Sequence, residues 1–455
     1  MPRERIALWT IAVLYLLSAF GFSLVTPVGE PPDEASHVTY IEHLERFYSL
    51  PPIEPSSYSY DAFQPPLYYM IGAAIVVGTR AITGSPSRDE RLVPVSQGRR
   101  MAEVGRDGHF ARFRDPELRL RVPWALVLRI PSILMGLGVI LLTYATARTI
   151  VPLPAPPVVP LIAAAFAALI PEANFIRSSV SNGNLADLLS AWIVLLLVLH
   201  LTQPYKRSRI FWLGIALGLG LLTKLSTLLL IVPLLWVLWI KRESLRGLLG
   251  DLARVAIPMV LLAAPFYIYR IIAYGDPLAL EAMHRMLPSD SHFTLSQLFW
   301  FQEPFRMMLW TSFWGVFGHH VLWMPGWIYN VFTAATLLAA VGGVVLLVKR
   351  ALNRTQQECC AVMLMVLLLM YGLVIQASTY LVAWQGRELF PALSSVCVLF
   401  GLGLSGLVLG RSAVQPEPLG KRTYIFATAY VGVLIIALAV LNLYAVVWLV
   451  KPGMT

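Results

Sequence analysis

Long apolar blocks separated by short polar connections dominate the chain. They lie near 6–26, 124–147, 157–176, 185–201, 210–223, 225–240, 255–273, 327–348, 359–380, 391–410 and 424–450. Most approach the ~20 residues an α-helix needs to cross ~30 Å of hydrocarbon. The pattern predicts an all-α polytopic membrane protein with about eleven transmembrane helices. The first block follows Arg3 and Arg5 as a signal peptide would, but it is long for one and lacks a small-residue exit, so it reads as a retained span.

Basic residues set the orientation. With the amino terminus inside, Arg3/Arg5, Arg148, Lys206/Arg207/Arg209, Lys241/Arg242/Arg246/Arg254, Lys349/Arg350/Arg354 and Arg411/Lys421/Arg422 all fall on the cytoplasmic side, as the positive-inside rule expects. A span at 65–83 would turn every later cluster outward. That segment therefore reads as an interfacial helix, opened by Pro65-Pro66 and carrying Tyr68, Tyr69 and Arg80. The scheme leaves nine arginines against six acids outside at 84–123, a mixed loop of weak orienting power. The chain, 1–455, is then one membrane domain. A first extracytoplasmic loop covers 27–123, a second such segment covers 274–326, and the expected location is the cytoplasmic (inner) membrane.

Composition agrees: 57% of 455 residues are hydrophobic and 13% charged. The formal charge of +10 is accounted for by the orienting clusters, so no nucleic-acid partner is needed. Cys359, Cys360 and Cys397 lie at or within apolar runs and form no disulfide framework or metal-ligand spacing. Internal repeats, glycine-rich phosphate loops, nucleophile elbows and HExxH patterns are lacking, which gives no support to a soluble nucleotide donor.

The unusual polar motifs gather on the predicted outer face. The first is Pro31-Pro32-Asp33-Glu34-Ala35-Ser36-His37, where adjacent carboxylates and a histidine follow a span and ask for a functional reason. The others are FQPPLYY (63–69), LTKLST (222–227), YGDP (274–277), SFWGVFG (312–318) and QGRELFP (385–391). Polar groups scattered in sequence but converging on one face describe a site.

These motifs, with LRIPS at 128–132, occur in an order that resembles a prokaryotic membrane family of unknown function in the GT-C glycosyltransferase superfamily. That family is related to protein O-mannosyltransferases and the aminoarabinose transferase of lipid A, and the resemblance covers about residues 6–400. It implies a GT-C-like bundle and an inverting transfer of a sugar from a polyprenyl-phosphate donor to an extracytoplasmic acceptor: a cell-envelope glycan, lipid or protein. It also implies that Asp33 is the general base, with Glu34 as substitute or positioning partner, and that Lys224 lies near the donor phosphate.

The chemistry can be argued beside the resemblance. Such a transfer needs a base for the acceptor hydroxyl and cations for the departing phosphate. Adjacent carboxylates repel, which predicts a raised pKa for one of them. The plainer reading is that Asp33 caps a helix and Glu34 favours its dipole. His37, one helical turn on, suits a phosphate ligand, a partner for Asp33, half of a metal site, or mere solvation. Arg387 offers two donors to a phosphate, flanked by Gln385 and Glu388; Lys224 does the same work or simply snorkels. Relatives commonly carry tyrosine at the Glu388 position. Gln64 stands where O-mannosyltransferases carry lysine, which shifts the cationic demand to Lys224 and Arg387.

Relatives often read Asn-Asp at SVSNGNLADLL (179–189), where this chain has Gly183 between Asn182 and Asn184. Asp187 is the remaining acid, and Asn-Gly-Asn alternatively marks a turn. The aromatic segment Phe299–Trp327 reads mainly as an interfacial belt, and Asp276 as a turn opener. No metal or cofactor is predicted, although a divalent metal stays open. Expected partners are the lipid-linked sugar, the acceptor and membrane lipids. The competing class is a transporter or flippase for a lipid-linked or small anionic substrate.

Overall fold

The computed structural model describes residues 2–54, 57, 59–83, 122–286, 293–301, 303–318, 320–379, 384–415 and 419–454. The arginine-rich stretch 84–121 of the first loop lies outside the described residues. By length and composition, eight described helices can cross a membrane, or nine if one bent pair counts as a single span. That is short of the expected count of about eleven, which it leaves unconfirmed. Helix α1 (Pro2–Val25) is followed by α2 (Glu34–Phe47), α3 (Leu67–Thr83) and α4 (Val122–Ile150). The bent pair is α5 (Val158–Leu169) and α6 (Pro171–Arg177), and α7 (Asn182–Thr202) follows.

The shortfall has a local cause. The apolar run from 210 to 240 folds as α8 (Arg207–Leu221), a 3-10 turn (Leu225–Leu230) and α9 (Ile231–Lys241). Lys224 N–H donates to the Gly220 carbonyl at 2.9 Å, so a tight turn divides the run into short helices. Then come α10 (Leu245–Tyr274), α11 (Leu280–Met286), α12 (Glu303–Trp314), and the short antiparallel pair β1 (Val316–Phe317) and β2 (Leu322–Trp323). Helices α13 (Gly326–Val348), α14 (Arg354–Ser378), α15 (Leu393–Leu409) and α16 (Lys421–Tyr444) complete the bundle.

Helices α5 and α7 form its centre, nearly every residue of α5 being buried. Small residues let helices approach in a setting where the hydrophobic effect does not drive helix association. At the α13–α15 seam, a Cβ on Gly342 would sit 1.9 Å from the Gly403 carbonyl oxygen. The 57° bend between α5 and α6 frees a backbone carbonyl that must be satisfied inside a membrane. Asn442 of α16 donates to that Leu169 carbonyl at 2.7 Å and accepts from Asn174 at 2.8 Å and Ser18 at 2.9 Å.

The basic residues Arg207, Lys241 and Arg354 lie at one set of helix ends. Lys224, Tyr274, the 312–325 connection and Gln385 lie at the other. Helices α2 and α3 pack on each other at this second end, held by an Arg80–Glu45 ion pair. The segment 65–83 is thus helical as expected, from Leu67 to Thr83.

Candidate active site

Asp33 precedes α2 with φ 66, in the left-handed region that Asp enters more readily than most residues. It occupies the N-cap position, yet its side chain makes no capping bond. One carboxylate oxygen accepts from the Tyr60 hydroxyl, and the other pairs with Arg387. The capping reading of Asp33 is thereby replaced.

Arg387 arrives on a 3-10 turn (Gly386–Ala392). The SFWG motif seats this turn: Gly386 N–H donates to Ser312 Oγ at 2.7 Å, and a Cβ on Gly386 would lie 2.2 Å from the Phe313 nitrogen. Arg387 also donates to the Pro32 carbonyl at 3.0 Å. Its neighbour Glu388 lies 3.7 Å from Arg387 Nε and 2.8 Å from Lys224 Nζ. Lys224 comes from the tight turn between α8 and the 3-10 segment, and that turn accepts Leu67 N–H of α3 at the Leu222 carbonyl, 2.9 Å away. Asp33, Arg387, Glu388 and Lys224 therefore form one continuous chain of charge drawn from three distant segments. Their side chains are 35%, 10%, 30% and 21% exposed, so the chain is partly open to solvent.

Glu34 faces different surroundings. Arg129, from the LRIPS motif on α4, donates to both its carboxylate oxygens, at 2.8 and 2.7 Å, and both side chains are 0% exposed. Gly29 and Val180 N–H groups add bonds of 2.8 and 2.9 Å. Arg129 also binds the Ser23 and Thr26 carbonyls at 2.7 and 2.8 Å, closing the end of α1. A carboxylate so saturated is poorly placed to take a proton from an acceptor.

The expected repulsion between adjacent acids does not set the Asp33 pKa. Burial alone would raise it, but the Arg387 guanidinium, His37 and the Tyr60 hydrogen bond outweigh burial and hold the carboxyl well below its usual range. At Asp33 the raised value predicted from sequence does not occur, because that acid has its own arginine. His37 is buried, with Nδ1 2.9 Å from Tyr69 Oη and 3.4 Å from an Asp61 oxygen. Burial, then Arg387 and Lys224, bring its pKa down to about 3 despite nearby Asp33. Asp61 is pushed well above the carboxylate range by burial and by Asp33.

Gln64 lies at the start of the QPP turn, its N–H donating to the Asp61 carbonyl at 2.8 Å. Gln385 receives Glu388 N–H at its backbone carbonyl, 3.1 Å away, while its buried side-chain oxygen lacks a hydrogen bond. Asn182 and Asn184 serve the start of α7, which Ser181 caps by accepting Gly183 N–H at 3.3 Å. Asp187 is buried in that helix. Asp276 opens a turn, accepting from Leu278 and Leu280 N–H. Trp314 is buried and stacks on Phe332 at 4.1 Å, so packing accounts for it.

Arg129, Tyr60, Asp61 and the buried Glu172, which accepts Val316 N–H at 2.9 Å, escaped the sequence reading. Only Arg129, inside a quoted motif and an apolar run, carried a usable signal. Among the described residues no three His, Cys, Asp or Glu side chains are arranged to hold a metal.

The sequence pattern of the dolichyl-phosphate-mannose-protein mannosyltransferase family matches residues 121–269, a stretch containing Arg129 and Lys224 but neither Asp33 nor Arg387. No curated protein matches the chain by sequence. The crystal structure of ArnT from Cupriavidus metallidurans bound to undecaprenyl phosphate is similar at 12% identity and TM-score 0.51, over 99% of this chain and 73% of that one. An Archaeoglobus fulgidus oligosaccharyltransferase tethered with an acceptor peptide is similar at 14% identity and TM-score 0.52, over 95% and 55%. AglB from the same organism, with an inhibitory peptide and a dolichol-phosphate, gives 12% and 0.52, over 98% and 56%. The chain spans little more than half the length of these oligosaccharyltransferases. The fold shared with them is the GT-C fold of multi-pass membrane proteins.

Proposed function

We propose that this chain is a GT-C glycosyltransferase that moves a sugar from a polyprenyl-phosphate donor to an extracytoplasmic acceptor with inversion, a reading supported by its fold and by the family match over residues 121–269. The carrying observation is the Asp33–Arg387–Glu388–Lys224 chain at the helix ends opposite the basic clusters. In a single displacement, the acceptor oxygen bonds the anomeric carbon as the bond from that carbon to the phosphate oxygen breaks. The acceptor proton passes to Asp33, and the phosphate oxygen keeps the electron pair. Asp33 is ionised at the outset and gains basicity when the donor phosphate competes with it for Arg387. Arg387 and Lys224 supply the positive charge on which the departing phosphate depends, and Tyr60 fixes the carboxylate.

Support comes also from ArnT and AglB, which were seen with undecaprenyl phosphate and a dolichol-phosphate. The test is transfer of labelled sugar from a polyprenyl-phosphate donor in vesicles. Arg387→Ala should abolish transfer while membrane insertion persists. Loss of solute uptake with transfer intact would replace the proposal with a transporter.

A further inference from the structure

We propose that Glu388 occupies the donor-phosphate subsite of the resting protein and discriminates against the product phosphate, speeding its release. This rests on the transfer reading above and assigns Glu388 a role within it. The geometry is that of an internal anion. One Glu388 oxygen lies 2.8 Å from Lys224 Nζ and the other 3.7 Å from Arg387 Nε. Arg387 Nε is buried and makes no hydrogen bond, while its two terminal nitrogens are taken by Pro32 and Asp33. The free edge of the guanidinium and the ammonium thus converge on a carboxylate where two phosphate oxygens would bind. Glu388 is partly exposed and can swing aside, whereas the turn beneath it is fixed by Ser312 and by the Glu388 N–H bond to the Gln385 carbonyl.

Charge makes this arrangement selective. Without lipid, Asp33 and Glu388 balance Arg387 and Lys224. A donor phosphodiester brings one negative charge. Cleavage at the anomeric carbon leaves a monoester, which carries about −1.5 to −2 at pH 7. The displaced Glu388 stays tethered next to Arg387, so its repulsion of the lipid phosphate grows as donor becomes product. The same carboxylate competes for Lys224 in both states. Relative to a neutral side chain at this position, the carboxylate therefore weakens binding of the dianionic product more than binding of the monoanionic donor.

The experiment compares binding of undecaprenyl phosphate, a monoester, with binding of its methyl ester, a diester of constant charge. It uses the full chain in detergent micelles, with wild type, Glu388→Gln, Glu388→Ala and Glu388→Asp. Glu388→Gln and Glu388→Ala should tighten monoester binding on the order of tenfold and diester binding distinctly less, while Glu388→Asp keeps the wild-type ratio. In turnover, Glu388→Gln should lower kcat more than KM and increase inhibition by undecaprenyl phosphate. An unchanged monoester-to-diester ratio in both neutral variants, or weaker monoester binding, overturns the role of Glu388 while leaving the transfer reading intact. Failure of wild type to bind either lipid overturns the transfer reading and the role of Glu388 with it.

Discussion

Asp33 and Glu34 are neighbours in sequence, yet each is matched to its own arginine in a different medium. The Glu34–Arg129 pair is dry, saturated with hydrogen bonds and wedged between the end of α1, α4 and the start of α7. The Asp33–Arg387 pair is partly open to solvent and continues into Glu388 and Lys224. A buried ion pair tolerates no loss of one member, because the survivor is an uncompensated charge in low dielectric. An accessible pair can exchange partners with a ligand at little cost. The two adjacent carboxylates therefore differ in setting: Glu34 fixes the loop, and Asp33 lies at the accessible side, where the proposed transfer would use it.

The sharpest way to break this contrast is to neutralise each acid in turn. Asp33→Asn should slow sugar transfer by roughly 10²–10⁴-fold, the usual worth of a general base, with a smaller loss of stability than Glu34→Gln causes. Glu34→Gln should do the opposite, keeping transfer per folded molecule while destabilising the protein. Equal rate losses in the two variants would dissolve the distinction. Arg129→Met carries the argument further, since it strands Glu34. It should cost about 3–5 kcal/mol of stability, read as loss of detergent-stable protein, whereas Arg387→Met, which leaves the partly exposed Asp33 and Glu388 unpaired, should cost distinctly less.

Titration sharpens the comparison at smaller scale. His37 has a folded pKa of about 3 against ~6.5 when unfolded. The unfolded chain takes the proton first, so stability is full above that unfolded value and falls as pH drops toward the folded one. Asp61 has the opposite sign: its raised folded pKa favours the protonated folded state, giving stability at low pH that is lost as pH rises through it. Unfolding temperature measured against pH should lose the part of its acid slope that lies between about pH 6.5 and 3 in His37→Gln, and its opposing slope in Asp61→Asn. A His37→Gln profile that matches wild type would refute the burial argument. The smallest effect is expected from Tyr60→Phe, which removes one hydrogen bond to a charged group and should slow transfer about tenfold with the fold unaltered.

Much of this site was legible before any coordinates. Asp33, Lys224 and Arg387 stand out because charge interrupting apolar runs is costly, and charge bookkeeping put them on one side of the membrane. Arg129 was less legible. It lies within the fourth helix's apolar run, where a lone arginine reads as part of a motif until its partner is known. Tyr60 and Asp61 sit in an irregular stretch without periodicity, so nothing local marked them. The raised pKa expected for an acid pair failed because side chains adjacent in sequence need not share an environment: the left-handed backbone at Asp33 turns the two carboxylates to different partners.

Hydrophobic block length, the polarity of the turns and the placement of basic clusters were enough to fix a multi-pass helical membrane protein and the face on which its polar motifs collect. These are properties of segments, governed by transfer free energy along the chain. Which acid meets which arginine and how Asn442 repairs the bend after Leu169 depend on contacts between residues far apart in sequence. Pairing across such distances is decided by packing, because only the assembled bundle determines which charges are sealed from water and which remain open to a ligand.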